Sequence, residues 1–163
     1  MLVSSADGAV DGAHAFDFIE GSWRVSHRRL SRRMVGDTQW AIFGGSMRAR
    51  LILGGLGNFD ENVIDLPGGR YQACTLRLYD RTLGQWSIYW IDGRDPKLDI
   101  PMRGGFTDGV GVFFGDDIFD GRPIRVRFLW SAITPNSARW AQAFSGDGEQ
   151  SWETNWIMNF EKP

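Results

Sequence analysis

His27 is one of only two histidines in the chain, and histidine is the side chain best suited to proton chemistry near neutral pH. If it faces an apolar cavity, its imidazole can hydrogen-bond a ligand or transfer a proton. Two other interpretations stay open: a histidine bonded to a side chain on a neighbouring strand, or one exposed at a rim. The second histidine, His14, supplies too few partners for a metal site. We expect no metal, no cofactor and no dedicated catalytic residue.

Aromatic side chains are abundant, with 8 tryptophans and 11 phenylalanines. Five of these rings line a cavity if their strand faces point inward: Trp86, Trp90, Trp130, Trp140 and Trp156. A solid core of the same rings explains the pattern equally well. Gln142 shares a face with Trp140, and a few polar groups among aromatic rings are typical of a ligand pocket.

Arg77 and Tyr89 lie on adjacent predicted strands and can present a cation and a hydroxyl to a carboxylate or carbonyl. Which faces they occupy stays open, because Leu76 and Trp90 beside them also compete for the interior. The complete set of predicted ligand-binding residues is His27, Arg77, Tyr89, Trp90, Trp130, Trp140, Gln142 and Trp156.

Five arginines crowd into the ten residues from Arg24 to Arg33. A solvated hairpin end is the preferred interpretation, and a site for an anionic ligand group or a partner surface are the alternatives. Over the whole chain the charges sum to a net −2, which removes the bulk electrostatic case for nucleic acid.

The 163 residues suffice for one domain, and the composition, 42% hydrophobic and 23% charged, is that of a folded protein. We expect a flexible segment over residues 1–15 and one domain over residues 16–163. No stretch has the apolar length of a membrane span, and the first twenty residues lack a signal-peptide pattern. Cys74 is the only cysteine, so a reducing cytoplasm is the expected location. Because no apolar stretch is long enough to span a membrane, we expect no membrane partner.

From Ser22 onward the hydrophobic pattern has a period of two, interrupted about every ten residues by turn-forming residues. The pattern predicts strands at residues 23–30, 40–47, 50–53, 59–66, 71–79, 85–91, 99–106, 109–115, 124–131, 139–144 and 152–160, after a helical turn over residues 14–20. Short turns make successive strands antiparallel. We therefore predict an all-β protein, a single antiparallel barrel of about eight to ten strands, with a sandwich as the alternative. With Trp23 at the barrel floor, Val25, His27 and Arg29 share its inward face.

The segment Gly21-Ser22-Trp23 follows the predicted helical turn and opens the first strand. It resembles the Gly-x-Trp signature of the lipocalins and the wider calycin group, whose members are closed β-barrels that carry small apolar ligands. The resemblance implies a calycin-like barrel with an internal ligand. The arginine that packs on this tryptophan in lipocalins is absent, and only Lys162 stands near the C-terminus.

A bacterial family of uncharacterised calycin-like proteins is a closer match, from residue 16 to near the end of the chain. The shared segments are Phe16-Asp17-Phe18, Gly21-Ser22-Trp23, His27-Arg28-Arg29-Leu30, Trp140-x-Gln142-x-Phe144-Ser145 and Trp152-Glu153-x-Asn155-Trp156. This resemblance implies the fold and supplies no activity.

These observations favour a protein that binds a small hydrophobic or aromatic metabolite in a barrel cavity, without nucleic-acid or membrane partners. The alternative is a cofactor-free isomerase, cyclase or lyase that uses His27 as acid and base. A third possibility is a filled barrel whose arginine-rich edge meets a partner. A homodimer stays open.

Overall fold

The computed structural model describes residues 12–163 and shows a closed antiparallel β-barrel of ten strands. The strands are β1 (Gly21–Leu30), β2 (Trp40–Ile52), β3 (Gly57–Leu66), β4 (Gly69–Asp80), β5 (Gln85–Asp92), β6 (Met102–Thr107), β7 (Val110–Phe119), β8 (Arg122–Ser131), β9 (Ser137–Ser145) and β10 (Glu153–Glu161). Each strand pairs with the next in sequence, and β1 closes the ring by pairing with both β2 and β10. The predicted all-β barrel is confirmed.

The N-terminal turn is also confirmed, as two short 3-10 helices at Gly12–His14 and Asp17–Ile19. The predicted flexible segment covers residues 1–15, of which residues 1–11 lie outside the described chain. Residues 12–15 contact the barrel, because the Trp86 indole N–H donates to the Gly12 carbonyl at 3.0 Å. This contact holds the turn against β5.

Two predicted strand segments, residues 40–47 and 50–53, prove to be one continuous strand, β2, over Trp40–Ile52. Alternation of side chains persists through the interval between them, with Met47 and Ala49 buried and Arg48 and Arg50 exposed. The segment predicted at 99–106 starts later, at Met102, and the approach to it is irregular.

The closed end of the barrel is filled by aromatic rings around Phe16, which is fully buried. Its ring centroid lies 4.8 Å from that of Phe106, 5.0 Å from Trp86 and 5.6 Å from Phe113. Edge-to-face and offset pairs at such spacings stabilise a core beyond the area that they bury. This end of the barrel is therefore a solid plug.

Trp23 is buried at this end, as predicted, and its indole N–H donates to the Ile19 carbonyl at 2.8 Å. The Lys162 ammonium lies 4.5 Å from the Trp23 ring centroid and donates to the Glu20 carbonyl at 2.6 Å. Gly21 has a positive φ of 118°, and a Cβ there would stand 2.6 Å from the Lys162 ammonium. Lys162 thus packs on the tryptophan for which the lipocalin resemblance predicts an arginine partner.

The opposite end is open. The three longest connections at this end are the segment 31–39 between β1 and β2, residues 93–101 between β5 and β6, and residues 146–152 between β9 and β10. The first of these is bonded to the start of the neighbouring strand β10, where the Met34 backbone N–H donates to both Glu153 carboxylate oxygens at 3.0 and 3.1 Å. Between this mouth and the plug lies the candidate site.

Candidate functional site

A cavity of about 830 Å³ opens at the mouth of the barrel. Its inner wall is formed mainly by the aromatic side chains Trp90, Phe128, Trp140, Phe144 and Trp156. These rings are built from alternate positions of β5, β8, β9 and β10, which is why the period-two pattern brings them together. Three contacts order the inner rings edge to face, with centroid separations of 4.9 Å for Phe128–Trp140, 5.5 Å for Trp140–Trp156 and 5.8 Å for Trp90–Trp156.

The predicted residues Trp90, Trp140, Gln142 and Trp156 all line this cavity. Gln142 is the polar group among the inner rings. Its amide donates to the Asn155 side-chain oxygen at 3.0 Å, which fixes the amide orientation. The inner part of the cavity therefore combines aromatic walls with one oriented amide, a composition suited to an apolar ligand that carries a polar atom.

Asn155 was not among the predicted site residues, although it is fully buried. A bulge between Thr154 and Trp156 inserts it as an extra residue opposite β9. The bulge leaves Thr154 exposed, whereas simple alternation predicts that Thr154 faces inward with Trp156. Alternation does not reveal an inserted residue, so the pattern predicts the wrong faces for Thr154 and Asn155.

Trp130 and Arg77 lie deeper, around a second cavity of about 30 Å³ that has room for a water molecule. The Arg77 guanidinium is buried and donates through Nη1 to Asp60 at 2.7 Å and to Asn58 at 2.8 Å. Asp60 also accepts bonds from the Asn62 amide at 2.7 Å and the Thr75 backbone N–H at 3.0 Å. The charge of Arg77 is therefore balanced within the barrel wall.

Arg77 and Tyr89 point to opposite faces of the sheet. Directly opposed residues share a face, and Arg77 is opposite Ile88 whereas Tyr89 is opposite Leu76. Tyr89 is half-buried and belongs to the residues around the larger cavity, but it alternates with the inward-facing Trp90. The predicted joint use of a cation and a hydroxyl from these two side chains finds no support in this geometry.

His27 is almost fully buried, and its inward direction agrees with the predicted alternation from Trp23. It lines neither cavity. The Trp156 indole N–H donates to His27 Nδ1 at 3.1 Å, and the imidazole stacks on the Phe43 ring at 4.8 Å. Burial, helped by the positive charge of Arg29, lowers the pKa of His27 to about 4. A neutral imidazole that orients Trp156 corresponds to the interpretation of a histidine bonded across strands.

The mouth of the cavity contains residues that were not in the predicted set. Arg29 follows His27 on the inward face of β1, Tyr71 lies on the inward face of β4, and Arg33 comes from the segment after β1. Alternation from Trp23 already placed Arg29 inside. Nothing in the local pattern shows that Arg33 bends over the opening, because it belongs to an irregular segment.

Comparison of the chain with models of known protein families and with curated proteins finds no match. Within residues 12–163, no helix has the length and apolar character needed to cross a membrane. The same part of the chain has no group of three or more histidine, cysteine, aspartate or glutamate side chains placed to hold a metal ion. The function must therefore be argued from the cavity.

Proposed function

We propose that this chain is a lipocalin-like binding protein that holds one small hydrophobic or aromatic molecule in the cavity at the barrel mouth. The observation that carries the proposal is the cavity of about 830 Å³, lined by aromatic rings and open at one end. Cavities that bind small molecules are of this size and have mainly apolar walls with few polar groups. Burial of a ligand against Trp140 and Trp156 supplies affinity, and Gln142 supplies orientation.

The contrast between the two ends of the barrel supports binding over a filled structural barrel. The plug around Phe16 fills the closed end, whereas the upper half keeps a cavity many times larger than a water molecule. A calycin-like relationship is part of the proposal, and the packing of Lys162 on Trp23 supports it. The single free cysteine, Cys74, suits a reducing cytoplasm.

The alternative acid–base enzyme is less well supported by the geometry. A general acid or base must come within hydrogen-bonding reach of the substrate, and His27 borders neither cavity. Its Nδ1 already accepts a bond from Trp156.

A fluorescence titration with the neutral aromatic probe N-phenyl-naphthylamine tests the proposal. We expect saturable one-to-one binding that enhances probe emission and quenches tryptophan emission. Trp140→Ala should weaken binding about tenfold, because it removes a ring from the cavity wall. The control is Trp152→Ala, since Trp152 packs on the outer face beside Phe114 and Arg127. Lack of saturable binding, or equal effects of both substitutions, would overturn the proposal.

A further inference from the structure

The cavity mouth contains two arginines that face inward, Arg29 and Arg33, with the phenol of Tyr71 nearby. Their guanidinium carbons lie over aromatic rings of the same cavity, Arg29 at 4.8 Å from the Trp156 ring and Arg33 at 5.0 Å from the Phe119 ring. Since Phe119 belongs to β7, on the far side of the barrel from β1, Arg33 reaches across the opening.

Neither guanidinium has a carboxylate of residues 12–163 within 4.0 Å. Arg94 at the same mouth differs, because it forms two bonds to Asp92, of 2.7 Å from Nη2 and 3.0 Å from Nε. The Arg29 guanidinium hydrogen-bonds the Tyr71 phenol, but neither arginine has a carboxylate partner in the described part of the chain. Since buried cations are normally paired with an anion, two such arginines at one cavity mouth call for an explanation.

Electrostatics agrees with the geometry. Burial lowers the pKa of Arg29, and burial together with the charge of Arg29 lowers the pKa of Arg33 to about 10. Both groups are still protonated at neutral pH. Two like charges thus line the same cavity, within electrostatic reach of each other and partly out of water, an arrangement that a bound anion would stabilise.

The remaining charges around the mouth have other partners or lie on the far strands. Asp116 binds Arg125 at 3.1 Å, Asp117 accepts the Ile118 backbone N–H at 2.7 Å, and Lys97 pairs with Asp95 at 2.9 Å.

Two further acids lie near the arginines or at the rim. The Glu153 carboxylate accepts the Met34 N–H, and its charge partly opposes the lowering of the Arg33 pKa. Asp99 also belongs to the cavity mouth, where Lys97 is its cationic neighbour. The positive charge at Arg29 and Arg33 is therefore a local feature within a mouth of mixed charge.

We propose that the ligand is an amphipathic carboxylic acid whose carboxylate binds Arg29 and Arg33. Its apolar body then occupies the aromatic part of the cavity, between Trp140 and Trp156. This inference rests on the proposed binding function and adds the chemical class of the ligand. Two guanidinium groups suit a carboxylate because each offers planar, charge-assisted N–H donors.

The test compares pyrenebutanoic acid with pyrenebutanol, which share the aromatic body and differ in the head group. We expect the wild-type protein to bind the acid at least tenfold more tightly than the alcohol. Arg29→Met and Arg33→Met should each lower the affinity for the acid about tenfold and leave that for the alcohol within about twofold. Arg28→Met is the control, because Arg28 is exposed on the outer face of the same strand, over Trp40.

The outcomes separate the two proposals. Equal binding of acid and alcohol by the wild-type protein would overturn the carboxylate inference and leave the binding function intact. An equal loss of acid affinity in Arg28→Met and Arg29→Met would also overturn it, because bulk charge would then explain the effect. Saturable binding of neither compound would overturn the binding function itself.

Discussion

The barrel contains inward-facing arginines near both its closed and its open end, and the two groups differ in their bonding partners. Near the closed end, Arg77 is buried and bonded to Asp60 and Asn58, with the Phe16 ring 5.2 Å from its guanidinium carbon. At the open end, Arg29 and Arg33 rest on aromatic rings of the cavity without a carboxylate of residues 12–163 at ion-pair distance.

This difference in partners distinguishes an arginine that pairs within the fold from arginines whose charge remains available to an anion. A buried charge that is paired with a carboxylate, as Arg77 is with Asp60, stabilises the structure only as long as both partners remain. A half-buried charge without a carboxylate partner contributes little to folding and can bind an anion. Inward direction alone therefore does not identify a binding residue; the partners of the side chain do.

The largest expected effect comes from breaking the pair at the closed end. Arg77→Met should lower the free energy of unfolding by about 3–5 kcal/mol, because it leaves the Asp60 carboxylate buried without its cation. Arg33→Met at the mouth should change it by less than about 0.5 kcal/mol, since no ion pair is lost. Urea unfolding of both variants measures the contrast. Adding Asp60→Asn to Arg77→Met should restore part of the loss, and equal costs at the two ends would refute the comparison.

A smaller effect concerns His27, which lies in the wall between the two ends. Because its pKa is lowered to about 4 in the folded protein from about 6.5 unfolded, the unfolded chain takes up a proton first as the pH falls. The stability contributed by the neutral imidazole is complete above pH 6.5 and is lost as the pH falls toward 4, by about 3 kcal/mol. The difference in urea stability between wild type and His27→Gln should shrink by that amount between pH 7 and pH 4. A difference independent of pH would contradict the burial of a neutral His27.

The next effect tests how tightly the wall beside His27 is packed. A Cβ at Gly45 would clash with the Val63 carbonyl oxygen and lie 3.1 Å from His27 Nε2, so Gly45→Ala should cost about 1–3 kcal/mol. At the adjacent Gly44 the nearest atom is 4.0 Å away, and Gly44→Ala should be neutral or stabilise by up to about 1 kcal/mol. Thermal and urea unfolding of the two variants decide the matter. If Gly45→Ala is as stable as Gly44→Ala, the wall is looser than described.

The smallest effect is expected at Lys162, which packs on Trp23 at the closed end. Lys162→Met removes the cation above Trp23 and the bond to the Glu20 carbonyl, and should cost about 0.5–1 kcal/mol. The chain's other lysine, Lys97, is exposed in a surface pair with Asp95, so Lys97→Met should have no measurable effect. Differential scanning calorimetry compares them. If Lys162→Met costs no more stability than Lys97→Met, Lys162 does not stabilise the closed end.

The period-two pattern predicted an all-β antiparallel protein, with a barrel preferred to a sandwich, and it predicted the inward face of β1, because alternation is a direct consequence of strand geometry. It also predicted that Trp90, Trp140, Gln142 and Trp156 line a cavity if their strand faces point inward, and in the structure all four border the cavity at the barrel mouth. For Arg77 and Tyr89 the pattern left the faces open, since apolar residues such as Leu76 occupy outward positions of this barrel.

Other features depend on long-range contacts that a single sequence does not reveal. The pairing of Arg77 with Asp60 joins residues of two strands by their register. The bulge that buries Asn155 changes the phase of β10, and the position of Arg33 depends on how residues 31–39 fold. These are the features that decide which side chains line the proposed site.

The most direct measurement is a crystal structure of the protein with pyrenebutanoic acid bound. The predicted result has the pyrene between Trp140 and Trp156, inside the barrel, and the carboxylate within hydrogen-bonding distance of both Arg29 and Arg33. Electron density for the compound only on the outer surface, or a barrel interior closed by its own side chains, would contradict a ligand-binding cavity.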